Sequence, residues 1–331
     1  MCSLPKSVIV IGILTIAATG CNSSDSSATI FTPPSASAQQ KQHRQSWMLG
    51  DASGEDLLYI EDAELGSIEV YSYTPPKYKL VGLLANPNGY SFLCVNKAQD
   101  IFVTEPHAVI EYKHGVTSPL RILGNLGGSL GCAVDPATGT LAVPNATPTA
   151  EVVSLFKKNR GRYTNVPLPK PYLVRDYCAY DNNGNLFITS VDASYPHFAL
   201  LELPKNSKTF VEISLDETFT DGVSGGMVWD GKYLDMADYQ KNVVYQFAIA
   251  GKKGTTSATI DLKRSYNIGG FFIEGTTLIV PAASKPHQPS QDVPGIVNLY
   301  NYPAGGKKTA VIRGVSYPLS VVVSLAKTQK T

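Results

Sequence analysis

The chain has 331 residues, 17% of them charged and 43% hydrophobic, with a net charge of +1. So little charge, against roughly 25% in an ordinary soluble domain, argues against a coiled coil or a helical bundle, and a near-zero net charge supplies no field to gather nucleic acid. With 28 Gly, 22 Pro and 18 Tyr, the composition favours tight turns and half-wet β surfaces.

Residues 1–20 read as an address. One cation, Lys6, precedes an apolar run from Val8 to Ala18. That run is about eleven residues, short of the ~20 that span a bilayer and suited to a signal-peptide core. It ends in Ala18-Thr19-Gly20-Cys21. This tetrad resembles the lipobox of bacterial lipoproteins. The resemblance implies cleavage before Cys21, a palmitate-type lipid on its thiol, and the membrane as a partner through that anchor. Residues 21–46 then turn to Ser, Pro and Gln, with too little apolar surface to offset the entropy of ordering. They are expected to form a flexible tether in the cell envelope, periplasmic or surface-facing.

From residue 47 to 326 one pattern recurs. A short apolar strand recurs as Leu57–Ile60, Ile101–Thr104, Leu141–Val143, Leu186–Thr189, Tyr233–Met236 and Leu278–Val280. The spacing of roughly 40–47 residues is the period of a four-stranded propeller blade. A partner strand keeps the same phase as Ile68–Tyr71, Val109–Tyr112, Val152–Leu155, Phe198–Leu203, Val243–Phe247 and Val297–Tyr300. The runs are β-branched and aromatic and are bounded by Gly, Asn and Pro, as strands are. The expected fold is therefore all-β: six four-stranded blades. The first unit lacks an inner strand of its own, because residues 47–56 are polar and contain Gly. Pro318–Ser324 matches that missing element, so a C-terminal inner strand beside Leu57–Ile60 is expected to close the ring and hide its edges. Residues 327–331 form a tail.

The units Gly131–Asp135 to Leu141–Val143 and Tyr177 to Thr189 resemble the NHL-repeat type of six-bladed propeller, and are similar to the gluconolactonase and senescence-marker class. That likeness implies a ligand-bearing face made by the fourth-to-first and second-to-third strand connections. The first set offers Asn88, Tyr90, Arg175, Asp176, Tyr177, Tyr266, Asn267 and Tyr317. The second offers Glu61, Asp62, Glu105, Asp192, Tyr195, Asp238 and Tyr239. In lactonases of the class a divalent cation sits on the axis, and Asp176, Asn88 and Asn267 have the right side chains for it, with Glu105 as a further acid. The family's ligand pattern is otherwise absent.

The remaining motifs have plainer readings. Gly127–Gly131 and Gly222–Gly226 both spell G-x-S-x-G, but neither precedes a helix as a nucleophile elbow requires; crowded blade-entry turns explain both. Asp181, Asn183 and Asn185 copy the start of a calcium loop but lack its later Gly and Glu, so they read as turn caps, like Asn96, Asp135 and Asp230. Cys94, Cys132 and Cys178 are expected to be small buried hydrophobes, with a Cys132–Cys178 disulfide as the alternative and Cys94 on the opposite face. His107, His197 and His287 fall in loops of alternate blades on one face. The expected reading is dispersed surface histidines, because a metal needs its nitrogens within about 2.0–2.1 Å and such loops start well apart; a three-His metal site over the channel mouth is the lesser alternative. Function is thus expected to be binding of a protein or glycan through a tyrosine-lined face, with no cofactor. A metal-dependent lactonase is the alternative. Mass spectrometry of the mature protein should find Cys21 at the N-terminus carrying acyl chains; an unmodified Cys21 would overturn the anchor.

Overall fold

The computed structural model describes residues 45–327, apart from 87, 125, 129, 158–160, 194–196, 220–223 and 284–293. Cys21, Tyr195 and His287 lie outside the described residues. The chain forms successive antiparallel meanders. The first holds β1 (Trp47–Met48), β2 (Leu57–Asp62), β3 (Ser67–Ser72) and β4 (Leu80–Ala85). Next come β5 (Leu93–Val95), β6 (Ile101–Glu105), β7 (Ala108–Tyr112) and β8 (Pro119–Gly124). The third is β9 (Ala133–Val134), β10 (Leu141–Ala146), β11 (Glu151–Phe156) and β12 (Tyr163–Pro167). Then follow β13 (Tyr172–Tyr180), β14 (Leu186–Asp192), β15 (Phe198–Leu203) and β16 (Val211–Leu215). After them run β17 (Ser224–Trp229), β18 (Leu234–Asp238), β19 (Val243–Ala250) and β20 (Lys253–Asp261). The last meander is β21 (Phe272–Glu274), β22 (Thr277–Ala283), β23 (Gly295–Asn301) and β24 (Lys308–Ile312), before a final strand β25 (Pro318–Ser324).

Hydrogen bonding groups these strands into five sheets rather than equal sets of four. One is five-stranded, β1-β4-β3-β2-β25, because Trp47–Met48 pairs outside β4. Another has eight strands: the β13–β16 and β17–β20 meanders join where Ser214 and Leu215 of β16 run parallel to Lys253 and Gly254 of β20. The polar β20 supplies the backbone for this join, which no apolar pattern announces.

The two chain ends meet in the first sheet. Strand β25 pairs antiparallel with β2, from Leu57 opposite Ser324 to Asp62 opposite Pro318. Side chains reinforce the junction: Ala326 N–H donates to Asp56 Oδ1 (2.7 Å) and Ser324 Oγ donates to the Gln99 carbonyl (2.8 Å). The core lies between neighbouring sheets. Strands β2 and β3 are buried along their whole length, so apolar side chains on both faces find partners. On one face Leu57, Val70, Leu84 and Val322 pack with Leu93 and Val103 of the next sheet, and on the other Leu58 and Ile60 pack with Ile279 and Val297 of the β21–β24 sheet. Each such side chain removed from water contributes about 1.5–3 kcal/mol.

Six short stretches, 92–95, 131–134, 176–180, 227–229, 270–272 and 320–322, surround one axial cavity of about 200 Å³. They come close enough to exclude side chains at certain points. A Cβ added at Gly225 would stand 2.7 Å from the Ile268 carbonyl oxygen, and one at Gly226 2.6 Å from the Phe271 nitrogen. That crowding accounts for the second G-x-S-x-G run.

The cysteines differ from expectation. Cys94 and Cys132 form a disulfide, with Cα atoms 5.8 Å apart, while Cys178 is free and buried. Aligning the turns put Cys94 on the opposite face. Strands β5 and β9 belong to separate sheets, however, so their mutual height is set by packing around the axis and the two Cys side chains meet. Burial pushes the Cys178 thiol pKa up. The bridge closes a 38-residue separation, worth about 4 kcal/mol by loop entropy. The Cys94→Ala/Cys132→Ala protein should therefore melt on the order of 10 °C lower, and reduction should lower the melting temperature of the parent alone. Equal melting of the reduced and oxidised parent would show that the bridge is absent.

Candidate functional site

The connections expected to share a face do meet. Asn88 Nδ2, ahead of β5, donates to Glu105 Oε2 at the end of β6 (2.7 Å). Asn145, near the end of β10, accepts from the N–H groups of Gly127 (2.9 Å) and Gly128 (3.0 Å) in the turn before β9. Asp62, at the end of β2, accepts from Ser316 N–H (2.6 Å) and Tyr317 N–H (3.1 Å) before β25. The expected acidic pair Glu61–Asp62 is thus present but buried, where it fixes backbone.

Glu61 does the same for the next turn. Its carboxyl accepts from Asn86 Nδ2 at 3.0 and 3.2 Å and from Ser91 N–H at 3.3 Å. These contacts bracket Tyr90, a non-glycine residue at φ 50° in the left-handed region, where conformations persist only when their surroundings hold them. Burial raises the Glu61 pKa to about 8, against the Asn86 and Ser91 hydrogen bonds, which favour the ionised form.

These turns deliver four tyrosines to one place. The Tyr90 and Tyr317 rings lie 6.4 Å apart and their side chains hydrogen-bond. Tyr239 lies near both, and Tyr177 lies near Tyr239 and Tyr317. Tyr177 meets Phe92 edge to face at 5.4 Å. A Cβ on Gly270 would touch Tyr177 Cε1 at 3.3 Å, so this ring reaches from β13 past its neighbours β9 and β17 towards the segments that lead into β5 and β21. Burial pushes all four phenols upward, Tyr90 and Tyr239 to about 12; they act as neutral aromatic surfaces with hydroxyl edges.

Phe92 was not among the expected residues. A signal for it exists: Phe92, Gly131, Tyr177 and Gly226 each stand four residues before an Asx cap, at Asn96, Asp135, Asp181 and Asp230. Two rings thus occupy a phase that two other units leave to glycine. The caps are real turns. Asp181 Oδ1 accepts from Asn183 N–H (2.9 Å) and Asn185 N–H (2.8 Å), and Asp230 Oδ1 accepts from Lys232 N–H (2.7 Å) and Tyr233 N–H (2.6 Å).

Several other expected residues serve the strand-end junctions themselves. Tyr266 forms an isolated bridge with Ala283, and Asn267 sits at φ 52°. Asp238 caps the turn at Gln240 and Lys241, with Lys241 Nζ 3.4 Å away. His107 and His197 are exposed; His107 Nδ1 contacts the Leu126 carbonyl at 3.2 Å. Among the described residues no three His, Cys, Asp or Glu side chains stand together to hold a metal, and Asn88 is engaged with Glu105. Asp176 and Arg175 form no ion pair: the guanidinium only favours the carboxylate from a distance, while burial raises the Asp176 pKa more.

No family model matches the sequence, and no curated protein does either. Solved structures do match. A chain of the nidogen/laminin complex superposes with TM-score 0.65 at 12% identity, covering 82% of this chain and 100% of that one. A protein of unknown function from Bacteroides caccae gives 0.60 at 9% identity, covering 82% and 99%. One from Desulfotomaculum acetoxidans DSM 771, also functionally unknown, gives 0.53 at 10%, covering 82% and 99%. At such identities the likeness establishes fold alone.

Two buried acids give the fold a pH dependence. Glu61 (about 8) and Asp235 (raised to about 7, chiefly by burial) keep their protons in the native state at pH values where the unfolded chain has lost them. Folding then takes up protons, so this stability is complete below about pH 4 and falls as pH rises towards 8, by about 1.4 kcal/mol per unit for each group. Chemical denaturation between pH 5 and 8 should show that decline, and Glu61→Gln should flatten it roughly by half; an unchanged slope would exclude a protonated Glu61. The fold that carries this network is an all-β propeller.

Proposed function

We propose that this chain is a membrane-anchored, extracytoplasmic β-propeller lipoprotein of six blades that binds a protein or glycan through its tyrosine face. The observation that carries the binding reading is the convergence of Tyr90, Tyr239 and Tyr317, from three separate connections, on Tyr177 of β13, which also lines the axial cavity. Amphipathic rings at a rim suit contact with sugars or with a partner surface, because one edge is apolar and the other makes hydrogen bonds.

Six inner stretches around the cavity support the blade count. On this reading the eight-stranded sheet is two blades stapled at their outer strands, and Trp47–Met48 is a fifth strand added to the first blade. The lipobox-like Ala18–Cys21 supports the anchor. The Cys94–Cys132 bridge suits an oxidising, extracytoplasmic compartment. The strand–turn–strand units Gly131–Asp135 to Leu141–Val143 and Tyr177 to Thr189 support a likeness to NHL-type repeats.

A glycan panel and envelope partner proteins should bind the purified domain, and Tyr239→Ala should weaken that binding by roughly 30-fold, as loss of an aromatic anchor does. Tyr233→Ala, at a turn away from the rim, should leave it unchanged. Equal affinity of the Tyr239→Ala and parent proteins would remove this face from the interaction.

A further inference from the structure

The axial cavity has chemistry of its own, distinct from the rim. Its walls mix backbone with side chains: Phe92 and Tyr177 bring rings to it, Trp229 and Phe272 border it from the cores between sheets, and Cys94 and Val321 belong to it as well. Among these groups stands one carboxylate. Asp176 lies deep in the fold, yet part of it stays accessible, and the space it borders is the cavity. No hydrogen bond reaches its side chain, and Arg175 acts on it only through space. An enclosed carboxylate without a partner is costly; a bound cation would remove that cost.

The walls select the kind of cation. A metal ion such as Ca²⁺ demands six to eight oxygen ligands, and this pocket offers one acid amid rings. An organic ammonium carries its charge on a group clad in carbon, is held by aromatic faces through cation–π attraction, and needs a single counter-charge. The volume of about 200 Å³ is below the ~300–1,000 Å³ of sites for drug-sized molecules, so it fits a small head group.

We propose that the axial cavity binds a small organic ammonium ion, with Asp176 as its counter-charge and the rings of Phe92 and Tyr177 as walls. This rests on the binding reading above and places within the rim a charged specificity that tyrosines alone do not give. Arg175 then acts against the ligand, so the two adjacent charges have opposite roles.

The test is calorimetric titration of the full folded domain at pH 8 in phosphate. The probes are choline, cadaverine, the neutral choline isostere 3,3-dimethylbutan-1-ol, and, in a second amine-free buffer, Ca²⁺. At least one ammonium should bind at least tenfold more tightly than the isostere. Asp176→Asn should weaken it at least tenfold, and Arg175→Gln should tighten it a few-fold. The proposal fails if neither ammonium binds, if the isostere binds as well, if Ca²⁺ alone binds, or if Asp176→Asn keeps full affinity. Should Asp176→Asn not fold, Arg175→Gln decides alone: unchanged or weaker binding overturns the site. If the ammonium results overturn the site while glycan or partner binding to the parent persists, only the cation is removed and the rim reading stands.

Discussion

Closure of the first sheet is the constraint on which the rest depends. Strand β2 has no inner neighbour from its own segment of chain; Pro318–Ser324 fills that place from more than 250 residues away. Without it the buried edge of β2 would present unpaired backbone to solvent, which costs stability and invites association. The same junction builds the site. Asp62, at the last pair of the β2–β25 ladder, binds the N–H groups of Ser316 and Tyr317, so the contact that ends the ring also sets Tyr317 in the rim. Ser320, within β25, accepts from Leu93 N–H at 3.1 Å and ties the closing strand to the next sheet. Long-range closure and local positioning are one interaction.

Side-chain oxygens beneath the face work by holding backbone. Glu61, Asp62 and Asn145 each sit at or near the end of a second strand and each takes N–H groups from an incoming inner-strand turn. Turns around Tyr90 and Tyr317 would otherwise have exposed, mobile backbone. Their buried acceptors satisfy those donors and leave the rings as the outward-facing part. This division also explains why Glu61 and Asp62 read from sequence as rim ligands: acids next to a loop look the same whether they face out or in, and only the donors supplied by Asn86, Ser91, Ser316 and Tyr317 distinguish the cases.

Legibility in the sequence follows burial. The second and third strands were readable throughout, since β2, β3, β14 and β22 are packed on both faces and show as continuous apolar runs. The outer strands β12 and β20 were not, because most of their residues are half-buried or exposed and the segments Tyr163–Pro167 and Lys253–Asp261 carry no apolar stripe. The pairing of β16 with β20 was invisible for the same reason: it runs through backbone. The tyrosine cluster was legible because the repeat phase marks which connections share an end: Tyr90, Tyr177, Tyr239 and Tyr317 lie near one another, and Tyr266 bridges Ala283 at the end of β22. The disulfide was not legible, because turn alignment fixes a residue's place within one sheet and says nothing of the height at which two unbonded inner strands pass.

Phe92 and Tyr177 show how the cavity follows from the same geometry. At equivalent phases Gly131 and Gly226 keep the backbones of their units close to the axis, where a Cβ would collide with neighbouring backbone. If all the inner strands approached that closely, no axial space would remain; if all carried rings, the channel would be filled. Alternating rings with glycines lets two large side chains reach across a narrow centre and still leaves about 200 Å³ beside them. Propeller blades stand around a central channel by construction, so open space there marks no site by itself. What is particular to this channel is its lining: the rings of Phe92 and Tyr177 reach into the same space that Asp176 borders.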